Sequence, residues 1–255
     1  MSVQQSAATL FALARGDAAD LAALRSCGDD IAEGARIQLA VLEGWRQLGE
    51  ELGGWKIGMS SRGLRDSMGT GVRPFGFVLA SRILASGAEL DVSRVPDCLL
   101  EPEICVTMGA PLGGPDVTEE QAKAAVASVS PAFEICSKRL PSGMPRSVRI
   151  GNDLNNWGIV VGPEHSTDIA LDRLAVELFR DGEPIDSGHS GQDVIDSPYL
   201  SLARVCRTLA DHGLALAAGQ RLITGSVLAG ARVAGHSRFT ARFGELGEVT
   251  VTVRS

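Results

Sequence analysis

Residues 99–108 read LLEPEICVTM. The apolar flanks mark a buried strand, and alternate residues of a strand share a face, so Glu101 and Glu103 point together, with Cys105 next on that side. Pro102 between them cannot donate to a ladder, which places it at an edge or a bulge where the strand opens to something. Two like charges side by side in a low-dielectric setting raise each other's energy, and a divalent cation removes the conflict. A third carboxylate, Glu134, stands in a similar strand-like run, SPAFEICSKRL (130–140). Three carboxylates make a hard, all-oxygen site that suits Mg²⁺ or Mn²⁺ with positions left for water and a chelating ligand. The alternative is a solvated strand face whose glutamates pair with Arg82, Arg139 or Arg149.

Outward from this stretch, the chain changes texture once. After Asp29-Asp30, Ile37, Val41, Trp45, Leu48 and Leu52 share one helical face, and Gly53-Gly54 is expected to stop the helix. Short strand-like runs follow, separated by glycine, proline and aspartate, with Asp181-Gly182 forming a hairpin turn. Two helices interrupt them. One opens at the Thr118–Gln121 capping box and runs to about Val129; the other opens at Ser197-Pro198 and ends at Gly213. The expected architecture is α+β: a helical N-terminal arm (1–54) on a β-rich body (55–255), together one compact unit.

Composition narrows the partners. A chain of 255 residues with a formal charge of −7 has no basic surplus for nucleic acid or an acidic membrane surface. No run approaches a membrane span, and the N-terminus lacks the pattern of a signal peptide. Five scattered cysteines without a C-x-x-C pair point to a reducing, cytoplasmic setting, and Cys105 and Cys136 read as small buried residues.

LGGWKIGMSSR (52–62), LLEPEICVTM, SPAFEICSKRL, IGNDLNNWGIVVG (150–162) and the tail from AGQRLITGSVLAG (218–230) onward resemble successive motifs of one family. It is the 2-oxopent-4-enoate hydratase and 4-oxalocrotonate decarboxylase branch of the fumarylacetoacetate hydrolase superfamily, and the resemblance runs in order from about residue 35. It implies a mixed β-roll body, a closed homo-oligomer, and Mg²⁺ or Mn²⁺ held by Glu101, Glu103 and Glu134. It also implies an active-site lysine, Lys56, that stabilises developing charge or, if burial lowers its pKa, moves a proton. Ser60, Asn156 and Ser226 become candidate substrate-binding residues. The implied substrate is a small 2-oxo acid or its dienol, and the leading reaction is hydration of a 2-hydroxy-2,4-dienoate through a dienolate. Decarboxylation of a 2-oxo-enedioate of the 4-oxalocrotonate type is the alternative. An acylpyruvate-type C–C hydrolase and an altered scaffold keeping only the fold stand behind these.

Departures from the family pattern concern the surroundings of the glutamates. Pro74 stands where hydratases of this branch carry an aspartate, Asn156 replaces a small hydroxyl, and Gly219-Gln220 replaces a Gly-Asp pair. No histidine precedes His165, which argues against the hydrolase; His189 and His236 lie in glycine-bearing turns and read as exposed.

Overall fold

A computed structural model describes residues 1–254. The helices are α1 (Val3–Arg15), α2 (Ile31–Gln47), α3 (Glu119–Ala125), α4 (Arg146–Gly151) and α5 (Pro198–Ala210). The strands are β1 (Leu52–Ile57), β2 (Phe75–Leu79), β3 (Ile83–Ala85), β4 (Ala88–Asp91), β5 (Cys98–Met108), β6 (Val126–Ser137) and β7 (Asn156–Val161). They continue with β8 (Ala175–Arg180), β9 (Glu183–His189), β10 (Arg221–Ser226), β11 (Ala231–Arg232), β12 (Ser237–Phe243) and β13 (Glu248–Arg254).

Two mixed sheets carry the body. The larger runs β2-β1-β10-β5-β6-β7-β3, with β11 also paired to β5, and the smaller runs β4-β13-β12-β8-β9. β12 and β13 pack against β6 and β7, so Phe239, Val249 and Val251 of one sheet join Phe133 and Val160 of the other in one core.

Capping at α1 and α3 follows the local chemistry: Ser2–Gln5 and Thr118–Gln121 form reciprocal capping boxes, and Gly16 closes α1 in the left-handed conformation. Three helix ends differ from the sequence reading. α2 stops at Gln47, the chain turns at Gly49 (φ +87°), Leu48 is exposed, and Leu52 through Gly54 already belong to β1. Gly54 is there for contact rather than termination, because a Cβ on it would lie 1.8 Å from the carbonyl oxygen of Arg221 on the parallel neighbour β10. α3 ends at Ala125, short of Val129, because Val126 onward pairs along β5. Ser197 does not cap α5; its hydroxyl donates to Glu119 instead.

β5 is the centre of the large sheet, not an edge, with β6 on one side and β10 and β11 on the other. Pro102 nevertheless sits at a break. β10 pairs with residues 103–107 and β11 with residues 99 and 100, and the β10 register shifts between Ile223 and Ser226. The Pro102 carbonyl accepts the Val227 amide in that gap at 2.9 Å. In an antiparallel strand a residue's N–H and C=O point the same way, so the missing donor falls where the neighbouring ladder is interrupted.

One buried side chain links α2 to β2, to α4 and to the turn after it. Gln38 Nε2 of α2 donates to Phe75 O (2.9 Å), Ile150 O (3.1 Å) and Asp153 Oδ1 (3.0 Å). Among the described residues no helix is long and apolar enough to cross a membrane.

Candidate active site

Strand pairing gathers the acidic residues. Glu101 of β5 is directly opposite Glu134 of β6, and Glu103 follows two residues along the same face. Glu101, Glu134 and Cys136 each bring a ligand atom within 4.8 Å of the other two. Glu103 lies outside that trio, with Oε2 accepting the Gly225 amide at 2.7 Å, and it lines the same cavity as Glu101 and Glu134. Cys136 was expected only as a small buried residue; its thiol in fact borders the carboxylates. Burial, then Glu134 and Glu101, push that thiol's pKa well up, so it stays protonated and a poor partner for a hard cation. Cys105 fits its expectation, packed with Ala132, Ile159 and Ile223.

Lys56 reaches this face from β1. Its stem lies against Gly76, where a Cβ would come within 2.5 Å of Lys56 Cγ and 2.9 Å of Asp153 Oδ1. The ammonium donates to Glu134 Oε1 at 2.6 Å and to the Leu154 carbonyl at 3.2 Å. Burial alone would lower its pKa, as the sequence reading allowed. Glu134, chiefly, and Glu101 outweigh that and hold the ammonium above the ordinary lysine range. The carboxylates respond in the opposite sense. Burial and then Glu134 raise Glu101 to about 7, against the pull of Lys56 and Lys138. The same two causes raise Glu103 well above the usual carboxylate range.

Three residues of one turn stand behind Lys56. Asp153, Leu154 and Asn155 all have positive φ (57°, 50° and 68°), and only through that conformation does the Leu154 carbonyl face Lys56. Asp153 is buried, accepts the Phe77 amide at 2.8 Å as well as Gln38, and has its pKa raised, chiefly by burial. The Asp153 and Gln38 pair went unrecognised in the sequence. Asn155 and Asp153 are residue types that tolerate the left-handed region, which was the one available signal.

The glutamates, Lys56, Ser60 and Ser226 line a cavity of about 500 Å³. Ser60 is buried, and its hydroxyl makes no hydrogen bond among the described residues. The Ser226 hydroxyl is committed to Leu228 O at 2.7 Å. Asn156 is not on the cavity wall; its Nδ2 donates to Glu134 Oε1 at 3.0 Å from behind. Pro74 also stays outside the cavity, its carbonyl accepting the Gly58 amide. Arg62 and Asp193 stand at the mouth, and exposed Asp193 pairs with exposed His189 at 3.0 Å. Of the arginines considered as partners for the glutamates, none pairs with them. Arg82 stacks on Trp45 and Trp157, Arg139 donates to backbone carbonyls, and Arg149 is exposed.

Around one ammonium, three carboxylates leave a local excess of negative charge in a buried setting. Glu134 Oε2 and both Glu101 oxygens accept no hydrogen bond among the described residues. This donor set fits a hard divalent cation, which supplies the charge that burial otherwise disfavours.

No protein-family profile matches the chain. A 4-oxalocrotonate decarboxylase of a Pseudomonas species is 30% identical over 208 residues, covering 79% of this chain and 80% of the relative. A 2-hydroxyhexa-2,4-dienoate hydratase of Comamonas testosteroni is 30% identical over 186 residues, covering 70% and 69%. Among solved structures, the 4-oxalocrotonate decarboxylase from Pseudomonas putida G7, complexed with magnesium and adipate, superposes with a TM-score of 0.87 at 23% identity, over 98% of this chain and 97% of that one.

Proposed function

This chain belongs to the hydratase and decarboxylase branch of the fumarylacetoacetate hydrolase superfamily, and on that premise we propose that it is a divalent-metal-dependent lyase of small 2-oxo acids. The observation that carries the reading is the placement of Glu101, Glu103 and Glu134 on one buried face beside Lys56, at the floor of a single cavity. Glu101, Glu103 and Glu134 would hold Mg²⁺ or Mn²⁺, with the Gly225 amide fixing one oxygen of Glu103. A cation there supplies Lewis-acid polarisation of a 2-oxo acid and a fixed point for its carboxylate end.

The chain's own groups do the rest. Lys56 keeps its proton and places positive charge where negative charge develops on the substrate oxygen. Asn156 positions Glu134 and touches no substrate. Ser60, with its hydroxyl uncommitted, donates to the substrate carboxylate; Ser226 shapes the wall beside it. Cys136 and the apolar strand residues keep water from the carboxylates, which strengthens each of these interactions.

Hydration of a 2-hydroxy-2,4-dienoate is the first reading. Decarboxylation of a 2-oxo-enedioate is the second, favoured by Arg62, a cation at the cavity mouth with no ion-pair partner among the described residues, suited to a distal carboxylate. The working form is proposed to be a cytoplasmic homo-oligomer.

A panel of 2-hydroxydienoates and 2-oxo-enedioates, followed by ultraviolet absorbance with and without Mg²⁺ or Mn²⁺, tests both readings. Loss of dienoate absorbance without CO₂ supports the hydratase, and CO₂ release supports the decarboxylase. Glu103→Gln should be inactive in either case. Full activity in that variant, or activity unaffected by chelator, overturns the metal mechanism.

A further inference from the structure

On the side of the 152–156 turn away from Lys56, a cleft of about 830 Å³ is lined by Arg82, Arg139, Trp45 and Trp157. Arg82 lies between two indoles, its guanidinium carbon 4.6 Å from the Trp45 ring centre and 5.1 Å from that of Trp157. A flat guanidinium held between rings presents its N–H edge rather than its face; Nη1 donates to Trp157 O at 3.4 Å, and the remaining N–H groups have the geometry that receives a planar oxyanion. Arg139 stands on the same cleft. One of its terminal nitrogens donates to Asn152 O (3.4 Å) and Asn156 O (3.1 Å), and its Nε is buried with no partner at all.

Neither arginine forms an ion pair among the described residues, and the acids on the cleft wall are already engaged. Glu50 accepts the Ser81 hydroxyl at 2.5 Å, Glu89 is paired with Arg254, and Asp91 caps Ser93 through its amide and hydroxyl. Asp153, the nearest buried carboxylate, is held by Gln38 and the Phe77 amide on the other side of the turn and makes no ion pair with either arginine. Two half-buried cations thus face one cleft with no ion-pair partner, and the carboxylates Glu50 and Asp153 act on Arg82 only from beyond contact distance. Burial, then Arg139, bring the Arg82 pKa down to about 10, against the pull of Glu50 and Asp153.

We propose that this cleft is a binding site for a small oxyanion, a carboxylate or a phosphate, seated between Arg82 and Arg139. It is separate from the cavity of the glutamates, and its assignment does not rest on which reaction runs there. Because Arg139 also holds both ends of the turn whose inner side carries Leu154 O and Asn156, an anion on Arg139 bears on the geometry around Lys56 and Glu134.

The flanking indoles give a direct readout. The full-length protein, without added divalent metal, is titrated with sodium succinate or inorganic phosphate at an ionic strength held constant with chloride, and tryptophan emission is followed. A saturable change is expected with one or both anions, weakened at least tenfold in Arg82→Gln. Arg82→Lys, which keeps charge but not the planar fork, is expected to recover only part of it. Response to succinate alone assigns the site to carboxylates, and response to phosphate alone to phosphoryl groups. Circular dichroism checks that each variant is folded; should Arg82→Gln fail that check, Arg82→Lys carries the comparison. No saturable change with either anion, or an undiminished response in the folded variants, overturns the proposal.

Discussion

Lys56 and Asn156 converge on one oxygen, Glu134 Oε1, at 2.6 and 3.0 Å, and leave Oε2 without a hydrogen bond among the described residues. The two donors divide their work: one brings charge, the other only direction. Replacing Lys56 with methionine should therefore lower turnover by ~10²-fold or more while Mn²⁺ binding is kept or tightened, since the local excess of negative charge grows. Asn156→Ala removes a hydrogen bond to a charged group, about 1.5–3 kcal/mol, and should cost stability and metal affinity together. Paired activity assays and Mn²⁺ titrations distinguish the two. If Lys56→Met weakened Mn²⁺ binding as much as turnover, the lysine's part would be structural.

The pH dependence of stability follows from Glu101. Its pKa in the folded protein, raised to about 7 by burial and then by Glu134, lies above the 4.5 of a free glutamate. Such a group favours the folded state fully below the unfolded value, and that contribution is lost as pH rises through about 7. Glu103 is shifted in the same direction. Protein stripped of metal by chelation should therefore melt at a lower temperature at pH 8 than at pH 5.5. Added Mn²⁺ should raise the melting temperature more at pH 8, because at the lower pH the ion competes with a proton. Thermal scans across this range, with Glu101→Gln as the flattened control, check it. Equal stabilisation by Mn²⁺ at both pH values would remove these carboxylates from the binding site.

The acidic face was legible because strand periodicity is local: two residues apart on one strand is a statement about sequence alone. The convergence of Glu134 on that face was reached through motif resemblance, since cross-strand register depends on pairing between distant segments. Pro102 shows the limit. Its missing N–H reads as an edge or a bulge; β5 is central, so the edge falls away, and the break that accommodates it belongs to residues 226–231, more than a hundred positions away. The end of α2 was misread because Leu48 and Leu52 prolong the helical spacing, although one is exposed and the other lies in β1. Gln38 and Asp153 were invisible for a different reason. A buried polar residue is recognised by its partners, and theirs come from α2, β2 and the turn after α4.

Gly225 offers a steric test of the wall between Ser60 and Glu103. Its φ is +110°, and a Cβ there would fall 1.7 Å from Ser60 Oγ. Gly225→Ala combines backbone strain of about 1–3 kcal/mol with a clash that must move Ser60 or β10. The amide that holds Glu103 moves with it. The variant should melt several degrees lower and need more Mn²⁺ for half-maximal activity. Adding Ser60→Gly should return the part due to the clash and leave the part due to φ. Full recovery in the double variant would mean that the backbone conformation costs nothing.

Beyond the cavity wall, Asp196 anchors the segment 58–73 to the start of α5. Its Oδ2 accepts Arg73 Nε at 2.8 Å and Arg204, Arg65 lies 3.6 Å from Oδ1, and its amide donates to Ser60 O. Arg73 is fully buried, and its other carboxylate partner, Asp66, is half exposed. The two ends of this pair are therefore unequal. Arg73→Met leaves Asp196 with two arginines, whereas Asp196→Asn leaves a buried guanidinium facing one poorly buried partner. Breaking a buried pair from the side that strands a charge costs about 3–5 kcal/mol, so Asp196→Asn should be the more destabilising in urea unfolding. Ser60 and Arg62 ride on the same segment, and neither is among the residues proposed to hold the metal. In Asp196→Asn, kcat/KM should consequently fall through KM while Mn²⁺ affinity holds. A loss of Mn²⁺ affinity in step with stability would show that the segment supports the carboxylates themselves rather than the substrate's side of the cavity.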